Sequence, residues 1–242
     1  MDRRIQPQGI FKYPTRTGRL PRWAGIIGVG FLLAVPSLCW ASGDDWREVS
    51  RTANLAVSVR DRIGNSVKEL RAVGVIDAPT WVVKNVLDDV DSYPKFMPYT
   101  AEARLLNRDT AKRTAVVYMK LNPPLVGPRD VTIRIQEQVF KGPDGSMTYN
   151  TRWEADNACG PAVQAGVTRM SLDEGSWTLE PVADGKSTRA TYLLFTDAGG
   201  NLPAFVINMA NKRSVADLFD AVRKQAQNAK YRQGQPAAGP NS

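Results

Sequence analysis

From Leu202 to about Gln227 the apolar residues recur with a helical period. Leu202, Phe205, Val206, Met209, Val215, Ala216, Leu218, Phe219, Val222 and Ala226 fall near i, i+3, i+4 spacing. Lys212, Arg213, Asp217, Asp220, Arg223 and Lys224 take much of the other side. That pattern predicts one long amphipathic helix. Gly199-Gly200 provides a turn ahead of it, and Pro203 suits a first turn, where its missing N–H costs nothing.

Upstream the period changes to two. Strands are predicted near residues 55–60, 67–76, 101–106, 114–121, 130–140, 146–153, 175–180 and 188–196. Alternation is clearest in the fifth, where Val131, Ile133, Ile135 and Val139 share a face opposite Thr132, Arg134, Gln136 and Gln138. The runs Lys141-Gly142-Pro143-Asp144-Gly145 and Ala183-Asp184-Gly185-Lys186 have hairpin-turn composition. Shorter helices are expected around residues 46–52, from Pro79 to about Asp88, and around Phe96. The order is strands first, two small helices between early strands, then one long helix. It predicts an α+β domain: a curved antiparallel sheet wrapped around the C-terminal helix, which must cover its apolar face.

The first 43 residues do not fit that domain. Arg3, Arg4, Lys12, Arg16, Arg19 and Arg22 precede an apolar run at about 24–41, followed by small residues, Ala41, Ser42 and Gly43. This has the form of an export signal, and a periplasmic or secreted protein is expected. The alternative is a membrane anchor formed by residues 24–41. The leader also carries much of the charge. Of 32 basic and 24 acidic residues, six and one lie there, leaving 26 and 23, a net charge of +3. A surface so balanced makes no case for nucleic acid as a partner. The tail, residues 231–242, is expected to be disordered.

The chain contains no histidine, and after cleavage only Cys159 remains of its two cysteines. Triads built on histidine, histidine-ligated zinc and an internal disulfide are therefore excluded. No nucleotide-binding glycine motif is present. Neither a cofactor nor a metal is expected, and the chain is expected to be a binding protein rather than an enzyme.

Several stretches then resemble one known family in the right order. They are Glu69-Leu70-Arg71-Ala72-Val73-Gly74-Val75-Ile76-Asp77-Ala78-Pro79, Tyr93-Pro94-Lys95-Phe96-Met97-Pro98, Leu125-Val126-Gly127-Pro128-Arg129-Asp130, and Gly175-Ser176-Trp177-Thr178-Leu179-Glu180-Pro181. With Asp197 to Asn208 they look like a START (StAR-related lipid transfer) domain spanning residues 44–230. The resemblance implies a helix-grip fold with an internal hydrophobic cavity, one lipid (phospholipid or sterol-like) carried or sensed there, transient membrane-surface contact and a monomer. It implies ligand contacts from Val117, Met119, Val131, Ile133 and Ile135 on the central strands, and from Tyr149, Trp153 and Tyr192. It adds Arg129 at a strand entrance, Phe205, Met209 and Phe219 on the last helix, and a gate at Leu125 and Val126. The wider superfamily offers an alternative: a cyclase- or hydrolase-like enzyme acting on a hydrophobic substrate. That alternative needs Tyr, Asp, Glu or Arg groups converging inside the cavity.

Overall fold

The computed structural model describes residues 45–124, 126–200 and 202–233. The expected leader, Leu125 and most of the expected tail lie outside them. Among the described residues no helix is long and apolar enough to cross a membrane.

Three strands, β1 (Arg47–Arg51), β2 (Leu55–Arg62) and β3 (Asn65–Ile76), come first. The helices α1 (Thr80–Asp88) and α2 (Tyr93–Phe96) follow. Then come β4 (Thr100–Asp109), β5 (Thr114–Leu121), β6 (Arg129–Lys141), β7 (Met147–Ala155) and the two-residue β8 (Thr168–Arg169). The chain continues through β9 (Leu172–Val182) and β10 (Ser187–Asp197) to the long helix α3 (Ala204–Ala226). A short turn of helix, Ala229–Arg232, buries Tyr231, whose hydroxyl donates to Asp89 Oδ2 at 2.8 Å. The packed part thus reaches Tyr231, where the tail was expected to begin.

The strand order is β1-β2-β3-β10-β9-β7-β6-β5-β4, antiparallel throughout, with β8 added parallel to the start of β6. This corrects the expectation of a sheet wrapped around the helix. The ladder is open, neither curled up nor closed, and β1 and β4 stand at opposite ends of it. Among the described residues β1 pairs with β2 and β4 with β5, and no ladder joins the two end strands. The helix α3 packs on β3 and α1. A second correction concerns residues 46–52, which form strand β1, because Arg47 to Arg51 find an antiparallel partner in β2.

The core divides at the middle of the sheet. Val82, Val83 and Val86 of α1 pack with Val215, Phe219 and Val222 of α3 against Leu70, Ala72, Leu179 and Ala190. Val117, Val131, Ile133 and Met170 form a second group beside β5 and β6. Between these groups and the first half of α3 the interior is not filled.

Candidate ligand-binding site

The space left there is a cavity of about 680 Å³. Its walls come from β5, β6, β7, β9 and β10, from α1, from the loop before β6, and from α3 between Val206 and Leu218. Strand alternation decides who faces it. On β5 the odd-numbered Ala115, Val117, Met119 and Leu121 line it, and on β6 Arg129, Ile133, Ile135 and Glu137 do. Tyr118 and Asp130, one residue out of phase, lie on the opposite face, where the Tyr118 hydroxyl donates to Asp130 Oδ2 at 3.2 Å. Asp130 is fully buried there and accepts from Arg169 Nε at 2.7 Å and Nη2 at 2.9 Å. Arg129 and Asp130 are therefore not partners.

Of the residues expected to touch a ligand, Val117, Met119, Val126, Ile133 and Ile135 line the cavity, as do Arg129, Trp153, Tyr192 and Met209. Val131, Tyr149 and Phe219 are buried core instead. Phe205 is 71% exposed and faces away from the cavity, because the buried stripe of α3 is Ile207, Val215, Phe219, Val222 and Ala226. Leu125 lies outside the described residues.

Sequence alone did not single out Asp173. It is 7% exposed, lines the cavity, and accepts a hydrogen bond from Trp153 Nε1 at 2.9 Å. Gly175, between them, makes that approach possible: a Cβ there would sit 2.4 Å from Trp153 Cζ2 and 2.3 Å from the Leu193 carbonyl oxygen. Burial pushes the Asp173 carboxyl up to about 6, against the smaller lowering effect of the Trp153 hydrogen bond. Beside it, the Tyr192 ring stacks on Trp153 at 5.6 Å and packs on Trp177 at 4.6 Å. Burial first, then the Asp173 charge, raise the Tyr192 phenol well above its ordinary range. Among the described residues, Trp153 is the only hydrogen-bond donor to Asp173, and the Tyr192 hydroxyl has no partner.

A further polar group belongs to the same walls. Lys84 Nζ pairs with Asp88 and lies 3.3 Å from Glu137 Oε1, so these charges satisfy one another. Among the described residues Asp173 has no such counter-charge, and it stands with Tyr192 among aromatic and aliphatic side chains. A protonatable carboxyl next to a phenol, in a mostly apolar cavity, can donate or accept a proton at a bound carbonyl or hydroxyl.

A model of the family described as polyketide cyclase / dehydrase and lipid transport matches residues 76–223, more than half of the chain. The chain belongs to this family. An uncharacterised protein of Pseudomonas aeruginosa is 28% identical over 169 residues, 69% of this chain and 80% of its own length. A STAR-related lipid transfer protein of Xanthomonas axonopodis superposes with a TM-score of 0.67 at 26% identity, covering 76% of this chain and all of the other. Human StAR-related lipid transfer protein 5 gives a TM-score of 0.63 at 18% identity over 77% of this chain and 88% of its own, a likeness of fold alone. The fold is that of the helix-grip, START-like superfamily. Membership in a family of cyclases and dehydrases as well as lipid transporters overturns the expectation that the chain is not an enzyme. The missing histidine carried that expectation, and Asp173 offers a titratable group in its place.

Proposed function

We propose that this protein binds one hydrophobic molecule in the cavity and acts on it as a cyclase- or hydrolase-like enzyme, with Asp173 and Tyr192 at the reacting group. The single observation that carries this reading is the buried Asp173 carboxyl, held by Trp153 and raised to about 6. A general acid or base works best when its pKa lies near the working pH. A cavity serving only to shelter an apolar chain gains nothing from a buried carboxyl, which costs desolvation. Asp173 in its ionised form takes a proton from the substrate, and the Tyr192 hydroxyl donates to the carbonyl oxygen where negative charge develops.

Lipid carriage is the second reading, supported by the 26% identity to the Xanthomonas lipid transfer protein across all of that chain. Extracting a lipid chain into water costs about 0.8 kcal/mol per CH₂, so a carrier must offer a dry cavity that opens at a membrane. Val126, in the loop before β6 and in the cavity wall, suits a gate of that kind. In either reading the protein works in the cell envelope as a monomer.

Native mass spectrometry of the full chain as recovered from its producing cell tests both. One hydrophobic molecule per chain is expected. When the molecule extracted from the Asp173→Asn variant, recovered in the same way, is offered to wild type, wild type should convert it, whereas Asp173→Asn should bind it and leave it unchanged. Binding without conversion by wild type supports carriage. A protein that neither holds nor takes up a hydrophobic molecule sinks both readings.

A further inference from the structure

Arg129 opens β6 and is 6% exposed, yet among the described residues no carboxylate pairs with it. Its Nε donates to the Ala198 carbonyl oxygen at 3.2 Å and its Nη1 to the Gly127 carbonyl oxygen at 3.0 Å. Nη2 has no partner among the described residues, and the side chain forms part of the cavity wall. Burial alone pulls its pKa down, with no neighbouring carboxylate to raise it. Asp130, the nearest acid in sequence, faces the other side of the sheet and is already held by Arg169.

The surroundings of the guanidinium are unusually open for a buried charge. Gly127 and Gly200 both have left-handed backbone, with φ of +71° and +73°. A Cβ at Gly127 would lie 3.4 Å from Nη1, and one at Gly200 would lie 3.7 Å from Nη2. Two glycines therefore frame the group with bare backbone. A buried guanidinium satisfied only by two carbonyl groups has met part of its hydrogen-bonding need and none of its charge. Its planar fork suits an oxyanion, carboxylate or phosphate.

We propose that Arg129 is the anion-binding point of the cavity, and that the ligand is an amphiphile whose carboxylate or phosphate group sits against Nη2 between the Gly127 and Gly200 loops. This rests on the reading that the cavity holds a hydrophobic molecule, and it narrows that molecule to an anionic one. The apolar part then runs along the Met119, Ile133 and Met209 walls, and Arg129 sets which end enters first.

Three probes separate the possibilities: oleate, its neutral methyl ester, and dodecyl phosphate. Each is titrated into the full chain below its aggregation concentration, with tryptophan fluorescence as the readout because Trp153 and Trp177 line the cavity. Wild type should bind at least one anionic probe about tenfold or more tightly than the ester. A preference for oleate marks a carboxylate site, and a preference for dodecyl phosphate a phosphate site. Arg129→Gln should lose the preference for the anion, its ratio of anion to ester affinity falling toward one. Arg129→Lys should keep part of it. Equal binding of all three probes by wild type overturns the inference and leaves the hydrophobic cavity standing. No binding of any probe overturns both. Because the wild-type ratio decides by itself, the test survives a glutamine variant that fails to fold. A folded glutamine variant that keeps the full preference also overturns the inference.

Discussion

Trp153 Nε1 donates to Asp173 Oδ1 at 2.9 Å, from β7 to β9 across the face of the sheet that lines the cavity. The two residues stand on adjacent strands, and Trp153 is paired in register with Gly175 rather than with Asp173. The indole therefore reaches along β9 over a residue with no side chain. One carboxyl is thereby fixed in orientation, while its other oxygen has no partner among the described residues.

That carboxyl makes stability depend on pH in a stated direction. Asp173 titrates near 3.8 in an unstructured chain and at about 6 in the folded protein. Between those values the folded state holds a proton that the unfolded state has lost, so this group's contribution falls as pH rises through the window. Above pH 6 the penalty is constant, on the order of 3 kcal/mol. Asp173→Asn keeps an acceptor for Trp153 and has no charge to bury. It should match wild type near pH 4 and be more stable at pH 8, by urea denaturation at each pH. A gap that shrinks from pH 4 to pH 8 would contradict the assignment.

Gly175 should be intolerant of even a methyl group. In Gly175→Ala the new Cβ would lie 2.3 Å from the Leu193 carbonyl oxygen and 2.4 Å from the Trp153 ring. The indole is part of a packed aromatic group and the carbonyl belongs to the β9–β10 ladder, so neither can yield without loss. The expected cost is about 1–3 kcal/mol. Equilibrium unfolding measures it, and a shifted tryptophan emission maximum should report the displaced ring. Unchanged stability would mean that the strands are further apart than they stand here.

Two phenylalanines fourteen residues apart on α3 should behave oppositely. Phe219 is fully buried, with its ring centroid 5.3 Å from that of Trp177, whereas Phe205 is 71% exposed. Phe219→Ala should cost about 3–5 kcal/mol, and Phe205→Ala should stay within about 0.5 kcal/mol. Thermal or urea denaturation of the two variants side by side checks this. A large loss at Phe205 would require an unseen partner over that end of the helix.

How far the sequence reached depends on how local each signal was. The strand Thr114–Leu121 and the alternation of Ile133 and Ile135 were legible because a period of two along one strand is a local property. The same phase places Arg129 in the cavity wall with Ile133. The helix from Ala204 to Ala226 was equally plain, yet Phe205 and Phe219 looked alike in it, since which apolar residues meet a neighbour is decided by packing. Strand β1 was missed because Arg47 to Arg51 have no apolar alternation of their own and become a strand by pairing with β2. Asp173 was missed for a related reason. Ser171 to Gly175 has the composition of a turn, and the residue that buries and holds the carboxyl is twenty positions away. The openness of the sheet was hidden too, because it rests on whether β1 and β4 meet, a contact between the ends of the strand order.

The leader is a matter of mass. If the leader is an export signal, intact-mass measurement on protein from the producing cell should show that roughly the first 41–43 residues are gone and the chain begins near Ser42 to Asp44. Full-length protein retained in the membrane would establish the anchor instead.

Tyr192→Phe separates the two functional readings with the loss of one oxygen. The ring would keep its stacking on Trp153 and its contact with Trp177, so the aromatic group around Asp173 stays packed. The hydroxyl has no partner among the described residues, so its removal leaves no protein donor or acceptor stranded. Stability should change by less than about 1 kcal/mol. If Tyr192 donates to a carbonyl on which negative charge develops, conversion of the molecule extracted from the Asp173→Asn variant should fall about 10²–10³-fold in kcat, with a much smaller change in affinity. If the protein only carries its ligand, affinity and transfer rate between vesicles should both remain within about tenfold of wild type. The kcat-against-affinity split therefore decides: conversion untouched by Tyr192→Phe and by Asp173→Asn would remove both residues from the chemistry.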